Sequence, residues 1–177
     1  ALSYADSIAK TDALITDEPG LPLLLCFADC TPILLLDPAH RAVGIAHGGW
    51  KGTVRRIAAK TVLRMQQEFG TRPEDVLAAI GPSIGPCCYE VGPEVEHQFQ
   101  EAFPGHEAAL FSHPDAAGGT HLSLWAANRL QLEEIGVLRE HIDEARTCTA
   151  CHHEDFFSYR ADGGQTGRLG AVIALRS

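Results

Sequence analysis

The fold is decided by residues 21–53, which read LPLLLCFADCTPILLLDPAHRAVGIAHGGWKGT. Three short apolar runs follow one another in this stretch, at Leu21–Ala28, Pro32–Leu36 and Ala42–His47. Continuous apolar runs of this length, bounded by Pro and Asp, are typical of strands buried on both faces. The stretch therefore predicts three consecutive buried strands, with a turn over Asp37–Arg41 that brings the third back antiparallel to the second.

The sequence on either side of this stretch mixes further strands and helices. Apolar residues recur at helical spacing over Thr53–Phe69, and Gly70 follows where a C-cap glycine belongs. Because strands and helices do not alternate strictly, the pattern favours a single α+β domain over residues 1–177, with mixed β-sheets and flanking helices. The other predicted elements are strands at Ala13–Thr16, Val76–Ile80 and Ala171–Leu175, and helices at Glu94–Ala102 and Leu122–Ile135.

Composition and charge restrict the classes of partner. The 177 residues carry a formal net charge of -9, from Lys+Arg 14 against Asp+Glu 23. This balance repels phosphate backbones and anionic lipid, which argues against nucleic acid and membrane surfaces as partners. No signal peptide is visible in Ala1–Lys10, so we expect a cytoplasmic protein whose six cysteines are reduced. Oligomeric state stays open.

Two of the predicted strands each end in a potential metal ligand. Cys30 follows the first strand and His47 ends the third, and the antiparallel return would set the two side by side. Thiolate and imidazole are ligands that zinc prefers, and three protein ligands with one open position would make the site catalytic. A small buried cysteine and a core histidine are the other interpretation of the same residues.

The segment after His47 is rich in glycine. Gly48, Gly49 and Gly52 surround Lys51 just before the predicted helix, so exposed backbone N–H groups and a cation could bind an anion. A simple tight turn explains the glycines equally well. Arg160 and Arg168 lie in a polar, Gly-rich tail that either folds over a substrate or is solvated charge.

An ordered series of motifs resembles the YfiH-type laccase-domain family, also called the polyphenol oxidoreductase or purine nucleoside phosphorylase family. The resemblance runs from about residue 12 to the C-terminus. Its motifs are ADCTPI at 28–33, AHGGWKGT at 46–53, IGPSIGPCCYEV at 80–91, NR at 128–129, CT at 148–149, FFSYR at 156–160 and GR at 167–168.

The resemblance implies an α+β fold and one zinc ion. It implies that Cys30 and His47 are two of the ligands, and that the third is a histidine upstream of this chain, in an N-terminal segment we expect the 177 residues to lack. The implied substrates are purine nucleosides and phosphate, through phosphorolysis of adenosine, inosine and methylthioadenosine, with adenosine deamination alongside. Family members usually have Arg where this chain has Lys51, and the Lys ammonium offers phosphate a single point charge in place of a planar fork that makes two contacts.

The remaining cysteines give weaker signals. Cys148 and Cys151 with His152 match a haem-attachment spacing by chance, and they could also form half of a structural zinc site completed by His152 or His153. For Cys87 and Cys88, which are adjacent in a Gly/Pro-rich loop, we predict packing near the metal.

Three other functions remain open. A copper-dependent polyphenol oxidoreductase is suggested by the family's name, but the chain has no His-x-His pair and a single Met in a helical pattern. A cysteine or zinc amidase that edits a peptidoglycan precursor would use Cys30 as nucleophile or ligand and His47 as base or ligand. A metal-stabilised binding module would show no turnover and would unfold on chelation.

Overall fold

The computed structural model of the protein describes residues 8–113 and 119–176, so the domain predicted over 1–177 extends beyond the described residues at both ends and at 114–118. Within these ranges it has ten strands and five α-helices. The strands are β1 Ala13–Thr16, β2 Leu23–Phe27, β3 Thr31–Asp37, β4 Ala42–Gly48, β5 Leu77–Ile80, β6 Glu90–Val91, β7 Phe111–Ser112, β8 Thr120–Leu122, β9 Ile142–Glu144 and β10 Leu169–Ile173. The helices are α1 Trp50–Val54, α2 Ile57–Phe69, α3 Pro93–Ala102, α4 Glu107–Leu110 and α5 Leu124–Glu134.

The strands form three sheets. The largest has the order β1-β4-β3-β5-β9, and its pairs are antiparallel except β5 with β9, which run parallel. Strand β10 pairs with β2, and the short strands β6, β8 and β7 form the third sheet. The prediction of an α+β fold with mixed sheets and flanking helices is therefore confirmed.

The three strands predicted within residues 21–53 differ in burial. Strands β3 and β4 are almost wholly buried, as predicted, because they lie at the centre of the five-stranded sheet. The prediction is wrong for β2, where Leu24 is 57% exposed and Cys26 is also exposed. Among the described strands, β2 pairs only with β10, and it packs one face on β4, so its alternate residues point to solvent.

The helix predicted over Thr53–Phe69 is broken into α1 and α2. Arg56 has a φ of 62°, in the left-handed region, and stands between the two helices. Its guanidinium lies 4.0 Å from the centre of the Phe103 ring and bonds to the Ala102 carbonyl and the Glu134 carboxylate. These contacts of Arg56 with the end of α3 and with α5 stabilise a turn that the periodicity does not reveal. Helix α2 ends at Phe69, and the φ of 77° at the next residue, Gly70, confirms the predicted cap.

The apolar core lies on both sides of the central sheet. One cluster, which includes Met65, fills the space between this sheet and α2. A second cluster, which includes Phe99 and Phe103, surrounds α3 and α5, and a third lies between β4 and the β2–β10 pair. No helix in the described part of the chain is long and apolar enough to cross a membrane.

Candidate active site

Cys30 and His47 meet at one edge of the central sheet. The β3–β4 register pairs Pro32 with His47, so Cys30, just before β3, lies beside the end of β4. A Cβ atom placed on Gly49 would lie 2.9 Å from Cys30 Sγ and 3.9 Å from His47 Nε2. The thiol and imidazole therefore flank one point, which only glycine leaves open. The predicted side-by-side placement of these two residues is what the structure has.

Asp29, which was not among the predicted site residues, sets the backbone that presents Cys30. Its φ of 73° is in the left-handed region, which Asp tolerates better than most residues. The buried carboxylate accepts a hydrogen bond of 2.7 Å from the Thr149 hydroxyl and another of 2.7 Å from the backbone N–H of Arg160. Asp29 thus connects the Cys30 turn to two segments more than 100 residues away, and its place directly before Cys30 was the available signal.

The imidazole of His47 is oriented by an acid and an aromatic ring. Its Nδ1 lies 3.6 Å from a carboxylate oxygen of Asp12, and its Nε2 lies 3.9 Å from where a Cβ atom on Gly49 would stand. Phe27 contacts the imidazole edge to face, with ring centres 5.1 Å apart. A carboxylate behind the second nitrogen is the usual support of a metal-binding histidine.

The pair opens into a cavity of about 440 Å³, a size suited to a small ligand. Three aromatic and two arginine side chains contribute to its wall. The lining residues are Cys26, Ala28, Asp29, Cys30, His47, Trp50, Ile84, Tyr89, Tyr159, Arg160 and Arg168. A neighbouring cavity of about 400 Å³ shares Cys30 and His47 and is also lined by Asp12, Gly49, Trp50, Lys51 and Gly52.

The predicted anion-binding residues lie in different surroundings. Gly49 and Lys51 line the second cavity, and the Lys51 ammonium lies 5.3 Å from the Trp50 ring centre. Gly48 is buried and lines neither cavity, because Asn128, Ile33 and the Thr31 carbonyl pack where a side chain would stand. Gly48 therefore serves packing.

Both predicted arginines reach the main cavity. Arg160 donates to the carbonyls of Cys88 (3.3 Å) and Glu90 (2.9 Å), and its guanidinium lies 5.5 Å from the Tyr89 ring centre. Arg168 donates to the carbonyls of Thr166 and Gly167 in its own loop. The polar tail thus folds over the Cys30–His47 pair.

Burial changes the acidity of two groups in the cavity. Burial, followed by the negative charge of Asp29, raises the pKa of the Cys30 thiol to about 11. Burial also raises the pKa of Tyr89 to about 12, so this phenol is a neutral hydrogen-bond donor at physiological pH.

A second cysteine centre lies nearby. The sulfur atoms of Cys87, Cys88, Cys148 and Cys151 all lie within 4.8 Å of one another and could hold a metal ion. Packing near the metal was predicted for the adjacent pair, but Cys87 is exposed. The prediction that a histidine completes the Cys148–Cys151 pair is also wrong, because the two sulfurs from the other loop take that place.

The two centres differ in the number of ligand atoms. In residues 8–113 and 119–176, the four cysteines are the one group of three or more His, Cys, Asp or Glu donors close enough to share an ion. Cys30 and His47 stand as a pair, so the third ligand expected upstream of this chain stays a prediction.

Comparison with known proteins places these features in a family. A model of the family "Multi-copper polyphenol oxidoreductase laccase" matches residues 1–176. A purine nucleoside phosphorylase of Bacteroides thetaiotaomicron is 46% identical over 165 residues, which cover 93% of this chain and 60% of that protein. Adenosine deaminase RL5, from an unknown prokaryotic organism, is 40% identical over 162 residues, covering 92% of this chain and 61% of that protein.

A solved structure shares the fold. The crystal structure of YlmD from Geobacillus stearothermophilus superimposes with a TM-score of 0.92 at 41% sequence identity, over 98% of this chain and 64% of YlmD. The chain thus spans about three fifths of the length of the relatives it matches.

Proposed function

The chain belongs to the multi-copper polyphenol oxidoreductase laccase family, and on that premise we propose that it carries the metal-binding pair and the substrate pocket of a zinc-dependent purine nucleoside phosphorylase. The observation that carries the proposal is the meeting of the Cys30 thiol and His47 imidazole inside a cavity with aromatic and cationic walls. The relatives named as purine nucleoside phosphorylases supply the substrate class. A cytoplasmic location belongs to the same proposal, because free thiols persist in reducing compartments.

The donor set fits zinc. One thiolate and one imidazole are borderline-soft ligands of the kind zinc selects, and the Asp12 carboxylate behind His47 Nδ1 supports a metal-facing Nε2. When bound, zinc supplies Lewis-acid polarisation of the substrate oxygen that it contacts. A copper oxidase is less well supported, because the chain's one methionine, Met65, is a fully buried residue of α2 that packs in the apolar core.

The chain's own residues would hold the two substrates. Tyr89, Tyr159 and Trp50 offer aromatic faces on which a purine base can stack. Lys51, Arg160 and Arg168 are exposed cations that line the two cavities, and they would bind phosphate. Gly49 leaves the space between thiol and imidazole free.

With the nucleoside and phosphate held in this way, the proposed reaction is phosphorolysis. A phosphate oxygen forms a bond to the anomeric carbon of the ribose while the bond from that carbon to the purine nitrogen breaks. The base leaves with the electron pair and takes up the proton that hydrogen phosphate gives up as the ester forms, while the neutral Tyr89 phenol can donate a hydrogen bond to the leaving base. The products are the free base and ribose 1-phosphate.

Adenosine deamination is a second candidate, favoured by the 40% identity to a protein named adenosine deaminase. Water would then replace phosphate, and inosine and ammonia would form. A metal-free cysteine amidase is less well supported. In the described part of the chain no hydrogen bond joins Cys30 to His47, and a base in contact with the thiol is what activates such a nucleophile.

The experiment is turnover of adenosine by the full-length protein, with products separated by chromatography. Adenine and ribose 1-phosphate that form only with phosphate, and disappear with chelator, are the expected result. Inosine formed without phosphate would favour the deaminase. Product that persists unchanged in chelator would contradict a metal enzyme.

A further inference from the structure

Two loops distant in sequence bring four thiols together outside the Cys30–His47 pair. Cys87 and Cys88 lie in a turn where the N–H groups of Cys88 and Tyr89 both donate to the Gly85 carbonyl at 3.0 Å. Cys148 and Cys151 have the C-x-x-C spacing common among zinc ligands. All four thiols are free, and Cys151 Sγ lies 3.4 Å from the sulfurs of both Cys87 and Cys88.

The distances suit one ion. Four thiolates around a tetrahedral zinc, with Zn–S bonds of about 2.3 Å, are about 3.8 Å apart. The separations here run from 3.4 Å to at most 4.8 Å, so small side-chain movements would complete the tetrahedron. An iron–sulfur cluster places its thiolates farther apart, around a core of several atoms. A single thiophilic divalent cation therefore fits better than a cluster.

The surroundings of Cys148 support a ligand role. The backbone N–H of Gly85 donates to Cys148 Sγ at 3.2 Å, the type of outer contact that orients metal-binding sulfur. Gly85 can approach so closely because it has no side chain. A Cβ there would lie 2.6 Å from the Trp125 ring and 3.1 Å from Cys148 Cβ.

We propose that Cys87, Cys88, Cys148 and Cys151 bind one Zn²⁺ as a closed, four-coordinate structural site that fastens the wall of the neighbouring cavity. Each thiol gives up its proton as its Zn–S bond forms. Four thiolates fill the coordination sphere of the ion, so it has no open position for substrate.

Two residues that line the main cavity, Tyr89 and Arg160, are connected to the two cysteine loops. Tyr89 follows Cys88 directly, and Arg160 donates to the Cys88 carbonyl. On the other loop, Thr149 lies between the two zinc-binding cysteines and donates to Asp29, whose carboxylate also accepts from the Arg160 backbone. An ion that joins the two loops would therefore fix Tyr89 and Arg160 relative to Cys30.

The test counts zinc in the full-length protein by mass spectrometry after purification without chelator. A Cys30→Ala variant should keep about one zinc per chain, because the four-thiolate site remains. Adding Cys151→Ser or Cys87→Ser should remove that zinc. Both of these thiols are exposed, so folding is a smaller concern than with the buried Cys148. Cys26→Ser, which changes another exposed thiol, should leave the zinc content of the Cys30→Ala protein as it was.

Cobalt gives an independent readout. Co²⁺ added to metal-free Cys30→Ala protein should produce the intense near-ultraviolet thiolate-to-cobalt bands of a tetrathiolate site, and Cys151→Ser should abolish them. Cys30→Ala protein that is purified without chelator, contains no zinc, and has Cys87 and Cys151 alkylated as fast as the equally exposed Cys26 would overturn the proposal. A disulfide from Cys151 to Cys87 or Cys88 in protein kept reduced would also overturn it.

The expected change in KM rests on the proposed function, whereas the zinc content of the four-cysteine site does not. In the otherwise unchanged protein, Cys151→Ser should raise KM for the nucleoside roughly tenfold with a smaller change in kcat, because Tyr89 and Arg160 would lose their fixed position. An unchanged KM together with lost zinc would contradict the positioning role while leaving the zinc site in place.

Discussion

The Cys30–His47 pair and the four-cysteine cluster both offer metal ligands, but they are built differently. The pair lies at the ends of two central strands, opens into a cavity, and brings two ligand atoms to one point. The cluster lies between two loops and brings four sulfur atoms within 4.8 Å. An incomplete ligand set leaves room for substrate, whereas a complete one serves structure. On this contrast rests our proposal that the pair carries out the chemistry and that the cluster holds the cavity-lining residues in position.

The sharpest test of this division is Cys30→Ala. We expect it to lower kcat/KM by more than the roughly 100-fold that loss of an outer support costs, because a direct ligand is removed. Cys151→Ser should lower it much less. Rates of adenosine phosphorolysis by the two full-length variants measure these losses. Equal losses of kcat/KM in both variants would contradict the division between the two centres.

Thermal stability should rank the same two variants in the opposite order. Cys151→Ser should lower Tm by roughly 5–10 °C, because structural zinc binding contributes directly to folding free energy. Cys30→Ala should lower it by no more than a few degrees. Differential scanning calorimetry of both proteins checks this, and a larger decrease for Cys30→Ala would show that the pair has the structural role.

Asp12→Asn should weaken metal binding by the Cys30–His47 pair without affecting metal binding by the four-cysteine cluster. The carboxylate 3.6 Å from His47 Nδ1 supports the metal-facing nitrogen, and losing such a support costs about 10- to 100-fold in metal affinity. Competition with a chromogenic chelator measures that affinity. Asp17→Asn, an exposed acid beyond the end of β1, is the matched control and should leave affinity unchanged. Equal affinity in both variants would remove Asp12 from the site.

Lys51→Ala should have the smallest effect. We expect KM for phosphate to rise roughly threefold to tenfold, because an exposed ammonium contributes modestly to anion binding. Lys51→Arg should keep or improve phosphate binding, since guanidinium contacts phosphate with two N–H groups. Phosphate saturation curves at fixed adenosine separate these outcomes, and an unchanged KM in Lys51→Ala would place phosphate elsewhere.

The pair was predictable from sequence and the cluster was not, for a physical reason. Cys30 and His47 end strands joined by one short turn, so local pattern and antiparallel pairing suffice to bring them together. The cysteines of the cluster are about 60 residues apart, and the loops that carry them meet through the bridge between Ser83 and Cys148. No periodicity records such a contact between irregular segments.

Two predictions, the full burial of β2 and the continuous helix over Thr53–Phe69, were wrong for the same reason. Strand β2 has the apolar composition of a buried strand, but it lies in a two-stranded sheet with one face open. Arg56 sits in a continuous helical pattern, but its contacts with Phe103 and Glu134 favour the left-handed backbone that ends α1. Contacts with residues distant in sequence determine both the exposure of β2 and the backbone conformation of Arg56. The local sequence around each does not reveal those contacts.

One titration tests the division between the two centres most directly. Zinc is added stepwise to metal-free, full-length protein, and phosphate-dependent adenine release and Tm are followed in the same samples. We expect two separable responses: Tm rises as the four-cysteine cluster fills, and activity appears as the Cys30–His47 pair fills. Activity and Tm that rise together with a single zinc, and are both lost in Cys30→Ala, would contradict that division.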